Sequence, residues 1–289
     1  MTTPDDLEHR WIQAGPIRLH VVLAGPQTGT PVFLLHGFPD AWFGWRHQID
    51  ALAEAGYRVV APDQRGYTTS AKPHGPRRYA LDALTADVAA LADALAIDRF
   101  HLVGHDWGGI VAWAMGALMP ERLERLVILN APHPEALFPY ALRHPSQFLR
   151  SLYAAFFQFP ALPEAALRAR DFALMERALV ASARPGTFGA VDLAAYREAW
   201  RHPGALTAML NWYRALRFRP RLEQRIAVPT LVLWGLKDTA LEAGLAERSL
   251  SYCDNGRLVT FPEATHWLQR EEAGAVNVEL LAFLGADRP

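Results

Sequence analysis

Runs of apolar residues alternate with segments of helical periodicity through the first half of the chain. His9–Ala14 and Ile17–Ala24 alternate apolar and polar residues around Gly15-Pro16, which predicts a β-hairpin. Pro31–Leu35 is apolar throughout, as expected of a strand buried on both faces of a sheet. Strands that alternate with helices at this spacing predict a mostly parallel, doubly wound sheet. Further strands are predicted at Arg58–Ala61, around Leu102 and at Leu123–Leu129, with helices around Ile49 and over Tyr79–Leu95.

This alternation stops near His133 and resumes after Pro229. The segments between them are rich in alanine, leucine, arginine and aromatic residues, have helical periodicity and contain no convincing strand. Ligands of open α/β sheets bind at the carboxyl edge of the strands, so an inserted helical block of about 90 residues predicts a cap over that edge. We expect a core of residues 1–132 and 226–289 and a helical cap of residues 133–225. The predicted cap helices are Gln147–Phe157, Pro163–Ala181, Ala190–Trp200 and Gly204–Phe218, and the strands that follow are Thr230–Trp234 and Leu258–Phe261.

Composition narrows the class of protein. The chain has 289 residues, 51% of them hydrophobic, which is enough for one large α/β core. Its net charge is −1 and its basic residues are scattered, which argues against nucleic acid or a membrane surface as a partner. Cys253 is the only cysteine, so disulfides within the chain and cysteine-based zinc sites are excluded. No secretory signal or membrane-length apolar run is found, so we expect a cytoplasmic monomer or homodimer.

One stretch carries the strongest chemical signal. The apolar run that ends at Val103 meets Gly104-His105-Asp106-Trp107-Gly108-Gly109, and a helical pattern begins at Ile110. Glycines on both sides of Asp106 predict a turn so tight that the residue at its apex stands clear of the sheet. This is the geometry of a nucleophile elbow. The alternative, in which Asp106 only caps the following helix, does not require glycines on both sides.

An aspartate at the apex of an elbow predicts chemistry that a serine would not perform. With a reference pKa near about 4, its carboxyl group is already an anion at neutral pH and attacks without help from a base. A weakly basic carboxylate suits an sp³ carbon that carries a leaving group, such as an epoxide or an alkyl halide. The product would be an ester on Asp106, which water must then cleave.

Three more loops with polar residues follow predicted strands at the same edge of the sheet. Asp238 and His266 come after two later strands, which gives the order nucleophile, acid, histidine found in α/β hydrolases. His266 would deprotonate water, and Asp238 would orient its imidazole. The turn His36-Gly37-Phe38-Pro39 can aim the backbone N–H of Phe38, together with that of Trp107, at an ester oxyanion.

Four segments resemble motifs of the epoxide hydrolases, a family of the α/β-hydrolase superfamily, and the resemblance covers nearly the whole chain. They are H-G-F-P-D from His36, A-P-D-Q-R-G-Y from Ala61, V-G-H-D-W-G-G from Val103 and A-T-H-W-L-Q-R-E-E from Ala264. The resemblance implies an α/β-hydrolase fold and a cis peptide bond before Pro39. One departure is the absence of the glycine that is commoner at position 68 or 69, in a loop away from the three catalytic candidates.

Epoxide hydrolases use two cap tyrosines to protonate the alkoxide that forms when the epoxide opens. Leu152–Gln158 and Asn211–Arg214 resemble the two tyrosine segments, which implies that Tyr153 and Tyr213 have this role. The alternative is that both tyrosines only pack the cap on the core. For the small hydrophobic substrate, the predicted contacts are His36, Pro39, Trp107, Phe156 and Trp267, with His36 also expected to brace its loop.

Two other functions remain open at this point. Haloalkane dehalogenases hold a halide with Trp107 and a side-chain donor at position 38, which is a phenylalanine here, and haloacetate dehalogenases have arginines where Trp107 and Ile110 stand. A protein that kept the fold for binding and lost turnover is disfavoured by the intact Asp106, Asp238 and His266. Since no phosphate loop, nucleotide fingerprint or metal-ligand cluster is present, we expect no cofactor and no metal.

Overall fold

The computed structural model describes residues 7–286 and contains an eight-stranded sheet with the strand order β1-β2-β4-β3-β5-β6-β7-β8. The pairs β1/β2 and β2/β4 are antiparallel and all the others are parallel. The predicted mostly parallel, doubly wound sheet is therefore confirmed. The strands are β1 (Glu8–Ala14), β2 (Ile17–Ala24), β3 (Pro31–Leu35), β4 (Arg58–Pro62), β5 (Phe100–His105), β6 (Leu123–Leu129), β7 (Thr230–Gly235) and β8 (Gly256–Phe261).

Helices cover both faces of this sheet because its central strands are apolar on both sides. Successive residues of a strand point to opposite faces, so Leu102 joins one hydrophobic cluster and Val103 joins the other. The helices outside residues 133–225 are α1 (Arg46–Glu54), α2 (Leu81–Ala94), α3 (Trp107–Leu118), α10 (Gly244–Leu250), α11 (Leu268–Glu271) and α12 (Ala273–Leu284).

Residues 133–225, here called the insertion, contain six helices between β6 and β7 and no strand. The larger hydrophobic cluster continues from the sheet into the insertion through residues such as Leu167, Met175 and Trp212. The insertion therefore packs onto the core instead of standing apart from it. Its helices are α4 (Pro134–Ala141), α5 (Pro145–Arg150), α6 (Leu152–Phe156), α7 (Leu162–Ala181), α8 (Ala190–Arg201) and α9 (Ala205–Arg214).

Two insertion helices differ from the sequence-based expectation. The single helix predicted at Gln147–Phe157 is two short helices, α5 and α6, separated at Ser151. Helix α7 is interrupted at Ala169–Phe172, where Arg170, Asp171 and Phe172 have φ angles of 51°, 56° and 64°. This left-handed backbone is strained for residues other than glycine. The break lets Phe172 pack beside Trp200, 6.0 Å between ring centroids, while Asp171 pairs with Arg201.

No helix within residues 7–286 is both long enough and apolar enough to span a lipid bilayer.

Candidate active site

Asp106 lies between β5 and α3 with φ 50° and ψ −122°, a conformation that few residues other than glycine adopt. Glycines are needed at the neighbouring positions because a side chain would not fit there. A Cβ on Gly104 would lie 2.4 Å from the Gly108 carbonyl oxygen, and a Cβ on Gly108 would lie 2.0 Å from the Leu35 carbonyl oxygen. The strand can therefore turn directly into the helix, and the Asp106 side chain stands above the sheet edge.

Two backbone N–H groups hold the Asp106 carboxylate. The Phe38 N–H donates to Oδ1 over 2.7 Å, and the Trp107 N–H also donates to the carboxylate. Gly37 makes this approach possible, since a Cβ there would lie 2.3 Å from Oδ1. The Phe38-Pro39 peptide bond is cis, as the resemblance implies. Burial raises the pKa of Asp106, and the His266 charge and the two N–H groups partly offset this.

His266 lies between two carboxylates that follow other strands. Its Nδ1 is 2.7 Å from Asp238 Oδ2, and its Nε2 is 3.6 Å from Asp106 Oδ2. Burial alone would lower the pKa of His266. The charge and hydrogen bond of Asp238, and then the charge of Asp106, outweigh it and raise that pKa to about 9. The structure thus brings the three predicted residues together, with the imidazole protonated at neutral pH.

Asn130 supports Asp238 and is absent from the sequence-based prediction. It follows β6 with φ 40°, its amide donates to Asp238 Oδ2 over 2.6 Å, and its Oδ1 accepts the Gly235 N–H over 2.8 Å. The N–H groups of Ala240 and Leu241 bind the other oxygen, Asp238 Oδ1. Although burial raises the pKa of Asp238, the His266 charge and these hydrogen bonds bring it below the ordinary value. The available signal was an asparagine at the end of another parallel strand, on the edge that carries the other site residues.

His105 fixes the backbone of His266. Its Nε2 lies 2.8 Å from the His266 carbonyl oxygen, and its Nδ1 lies 3.2 Å from the Gln269 amide nitrogen. Burial, followed by the charge of His266, holds the pKa of His105 well below its usual range, so this imidazole is neutral. Its Nε2–H therefore donates to the His266 carbonyl, and Nδ1 accepts from Gln269.

Asp106 and His266 open into a cavity of about 440 Å³ between the sheet edge and the insertion. Most of its lining is apolar. The predicted contact residues Pro39, Trp107, Phe156 and Trp267 line it. His36 is outside the lining because its side chain is fully buried below the turn, where Nε2 accepts the Gln64 N–H over 3.1 Å. Its predicted contact with substrate does not fit this position, whereas the expected bracing role does.

Tyr153 on α6 and Tyr213 on α9 line the same cavity. Their rings lie 5.8 Å apart at 76°, and the Tyr213 hydroxyl donates to that of Tyr153. The Trp107 side chain in turn donates its indole N–H to the Tyr213 hydroxyl. Tyr153 keeps 41% of its surface exposed, yet its hydroxyl is desolvated and faces Asp106, which raises its pKa. Burial, the Tyr153 hydroxyl and Asp106 raise the pKa of Tyr213 as well. Both phenols stay protonated at neutral pH and can donate.

A family model described as alpha/beta hydrolase fold matches residues 30–273. The chain therefore belongs to the α/β-hydrolase superfamily, and the predicted fold is confirmed. AB hydrolase superfamily protein YfhM of Bacillus subtilis is 43% identical over 97% of this chain and 99% of its own. Epoxide hydrolase 4 of Mus musculus is 38% identical over 94% of this chain and 78% of its own. The crystal structure of a Bacillus megaterium epoxide hydrolase with an inhibitor matches with a TM-score of 0.88 at 30% identity, covering 95% of this chain and 99% of that one. The chain belongs to the epoxide hydrolase family, whose members are hydrolases acting on ether bonds.

Proposed function

We propose that this protein converts an epoxide and water to a vicinal diol through an ester intermediate on Asp106. One observation carries the proposal: the Asp106 carboxyl group and two protonated phenols, Tyr153 and Tyr213, line a single apolar cavity. A nucleophile and an acid within reach of one small molecule are what epoxide opening needs. The relatives named as epoxide hydrolases support the same activity. In this proposal the insertion, residues 133–225, is the cap that supplies the two phenols.

In the first step, Asp106 Oδ2 attacks an epoxide carbon and the bond from that carbon to the ring oxygen breaks. Oδ1 stays in the hydrogen bond from the Phe38 N–H and becomes the carbonyl oxygen of the ester, and the Trp107 N–H also interacts with this carboxyl group. The departing oxygen takes a proton from a tyrosine. Once the Asp106 charge is consumed, one of the causes that raise the pKa of His266 disappears, so His266 gives up its proton. That proton returns to the tyrosinate and restores the phenol, so the protons of the step balance.

In the second step, neutral His266 takes a proton from water through Nε2, and the resulting hydroxide attacks Cγ of the ester. The negative charge develops on Oδ1, which already accepts the Phe38 N–H, and the Trp107 N–H lies close enough to help stabilise it. The tetrahedral intermediate collapses, the diol oxygen leaves with the proton from His266, and Asp106 retains one oxygen atom from water. Asp238 stabilises the imidazolium that forms along the way.

The alternative, release of a halide, fits the site less well. A halide leaves as a weak base and needs N–H donors. The Trp107 indole N–H, the donor expected for it, instead bonds the Tyr213 hydroxyl, and the Phe38 side chain has no donor. We therefore treat halide release as an outcome that the experiments below distinguish.

Trapping the ester tests the order of the two steps. His266→Gln should still allow attack by Asp106 but leave the ester uncleaved, because no base remains to activate water. Intact-protein mass spectrometry after mixing with an epoxide such as styrene oxide should show an adduct of the substrate's mass, whereas Asp106→Ala should show none. In a single turnover of the unmodified enzyme in H₂¹⁸O, the label should enter Asp106. Label that appears directly in the diol would overturn the ester scheme.

Removing the phenol hydroxyls tests the leaving-group role. Loss of one donor to a developing oxyanion costs about 10²-fold in rate, so Tyr153→Phe and Tyr213→Phe should each slow diol formation by roughly that factor. The double variant should nearly abolish it, and its urea unfolding curve should show that it is folded. Tyr252→Phe, which removes a hydroxyl bonded to the Glu135 carbonyl away from the cavity, is the control. An unchanged rate in the double variant, or faster halide release from haloalkanes than opening of any epoxide, would refute the assignment.

A further inference from the structure

The insertion and the rest of the chain carry opposite charges. Residues 133–225 contain 13 arginines, no lysine and seven acidic residues, a net charge of +6. Because the whole chain carries −1, the remaining residues carry −7. The net charge of the whole chain is close to zero because these two opposite charges nearly cancel. In the folded protein, the positive charge lies on the insertion, at one edge of the sheet.

Most acidic side chains of the insertion are already paired with an arginine, so they do not neutralise its remaining arginines. Six of the seven acidic side chains of the insertion, all except Glu223, lie within 4 Å of an arginine. Six exposed arginines of the insertion have no acidic partner within 4 Å among residues 7–286. Two of them are Arg217 and Arg221, and the other four are Arg143, Arg168, Arg170 and Arg177. These four lie on or beside α4 and α7. Their charge is therefore free to meet an anionic surface.

Large exposed apolar side chains are concentrated in one segment of the same insertion. Of the 16 found within residues 7–286, eight fall in residues 138–162, a segment that contains no aspartate or glutamate. We call residues 138–162 the apolar segment. Soluble surfaces seldom expose so many large apolar groups together, and an apolar face edged with arginine is typical of segments that lie in a membrane interface. Its exposed members are Phe138, Leu142, Phe148, Leu149, Leu152, Tyr153, Phe159 and Leu162.

The cavity lies directly behind this surface. Leu137 on α4 and Tyr153 on α6 line the cavity, whereas the residues next to them in the sequence, Phe138 and Leu152, are outside the lining with 66% and 47% exposure. The same short helices therefore form one wall of the apolar cavity and the outer apolar face. A hydrophobic molecule dissolved in a bilayer would meet this wall first.

We propose that the apolar segment, with the four unpaired arginines, docks on an anionic lipid surface. A second copy of the chain is the other candidate occupant. A two-fold symmetric contact would place this arginine-rich face against itself, and the like charges would repel. An anionic bilayer offers apolar acyl chains for the phenylalanines and leucines and opposite charge for the arginines. Each arginine near such a surface strengthens binding about fivefold.

Vesicle sedimentation tests the docking without any substrate. The full chain should pellet with vesicles of phosphatidylcholine containing 30 mol% phosphatidylserine, much less with pure phosphatidylcholine, and less again at 0.5 M salt. Leu142→Ser/Leu149→Ser should weaken the binding at least tenfold, because both exposed leucines are lost. Arg143→Glu/Arg168→Glu should weaken it more than 25-fold and remove the preference for phosphatidylserine.

Matched variants make the outcome decisive. Val278→Ser changes a side chain that is 65% exposed on α12, and Arg18→Glu reverses an exposed arginine on β2, so both should bind like the unmodified protein. The docking variants lie outside the cavity machinery and should open a small dissolved epoxide at the normal rate. Two results would overturn the proposal: no pelleting with anionic vesicles, or a dimer in analytical ultracentrifugation that the leucine variant dissociates while vesicle binding is absent.

Discussion

His266 ties the stability of the fold to pH because it lies between two carboxylates. Its pKa is raised to about 9 in the folded chain, against about 6.5 in an unfolded one. A raised pKa stabilises the fold fully at pH values below the unfolded pKa, and this contribution is lost as pH rises through the folded pKa. The protonated imidazole should therefore stabilise the protein below pH 6.5 and stop doing so above pH 9.

Comparison with His266→Gln isolates this effect. From pH 6.5 to 9.5, the free energy of unfolding of the unmodified protein should fall relative to that of the variant by up to about 3 kcal/mol. Asp238 adds nothing in this window, because its lowered pKa keeps it ionised throughout. Urea unfolding of both proteins at four pH values measures this difference in free energy. Cys253 and the exposed titratable groups are the same in both proteins, so their contributions cancel. Parallel curves for the two proteins would show that the imidazole is not protonated in the folded state.

Residue types with an obligatory chemical role were the part of the site that could be predicted from sequence. Asp106, Asp238 and His266 follow parallel strands, and such strands bring their carboxyl ends to one edge. Asn130 escaped prediction because its partner Asp238 is 108 positions away and an asparagine after a strand is ordinary turn chemistry.

Thr68 shows how the chain manages without the expected glycine. It has a left-handed φ of 42°, which glycine would adopt without strain, and its hydroxyl donates to the Asp63 carboxylate. Asp63 also accepts the Trp42 N–H over 3.0 Å and lies 2.8 Å from His20 Nδ1. The hydrogen bond at Thr68 thus joins a buried polar cluster that compensates for the backbone strain.

Helix α8 fastens the insertion to the turn that carries the Phe38 N–H. The Tyr196 hydroxyl donates to Asp40 Oδ1 over 2.7 Å, and the Trp200 indole N–H donates to the Pro39 carbonyl over 2.7 Å. Arg270 on α11 donates to the Tyr196 oxygen over 2.8 Å. Tyr196, Asp40 and Arg270 are buried, so their contacts are shielded from water, and the bond from Trp200 to Pro39 is partly buried. One helix thereby links the insertion, the turn His36–Pro39 and the segment after His266.

Removing the Tyr196 hydroxyl should show how much its hydrogen bonds contribute to the stability of the fold. Tyr196→Phe leaves Asp40 with only the Ala41 N–H at Oδ1 and leaves one Arg270 N–H without its acceptor. Buried polar groups that lose a partner cost about 1–3 kcal/mol each, so the free energy of unfolding should fall by at least that amount. Urea unfolding measures it, with Tyr252→Phe, whose hydroxyl is only partly buried, as the milder control. A loss below about 0.5 kcal/mol would mean that the network carries little of the stability.

The elements of the sheet could be predicted more closely than those of the insertion. Buried strands are short and apolar, and β3 begins and ends at the predicted residues. The bounds of the insertion helices depend on tertiary contacts that the hydrophobic periodicity of the sequence does not reveal. Helix α7 breaks at Arg170–Phe172 because Phe172 and Asp171 reach partners on α8, although the sequence there is rich in helix-forming residues.

At the scale of the whole molecule, the order of strands and helices was enough to predict the class of fold, because few topologies satisfy a repeating strand–helix pattern. Which arginines remain without an acidic partner could not be predicted in the same way, because ion pairing depends on the folded arrangement. Arginines that are scattered along the sequence become one basic body when residues 133–225 fold together, and the acidic core lies on the other side of the cavity.

The insertion leaves the sheet after β6 and returns at β7, and these two strands are direct neighbours, with Leu126 opposite Thr230. The chain leaves the sheet at the carboxyl end of β6 and returns to the amino end of β7, and the hydrogen bonds that hold these two strands together do not involve the insertion. Because Asp106, Asp238 and His266 follow strands of the sheet while Tyr153 and Tyr213 belong to the insertion, evolution can exchange or lengthen the insertion, and so change the lining of the cavity, without moving those three residues.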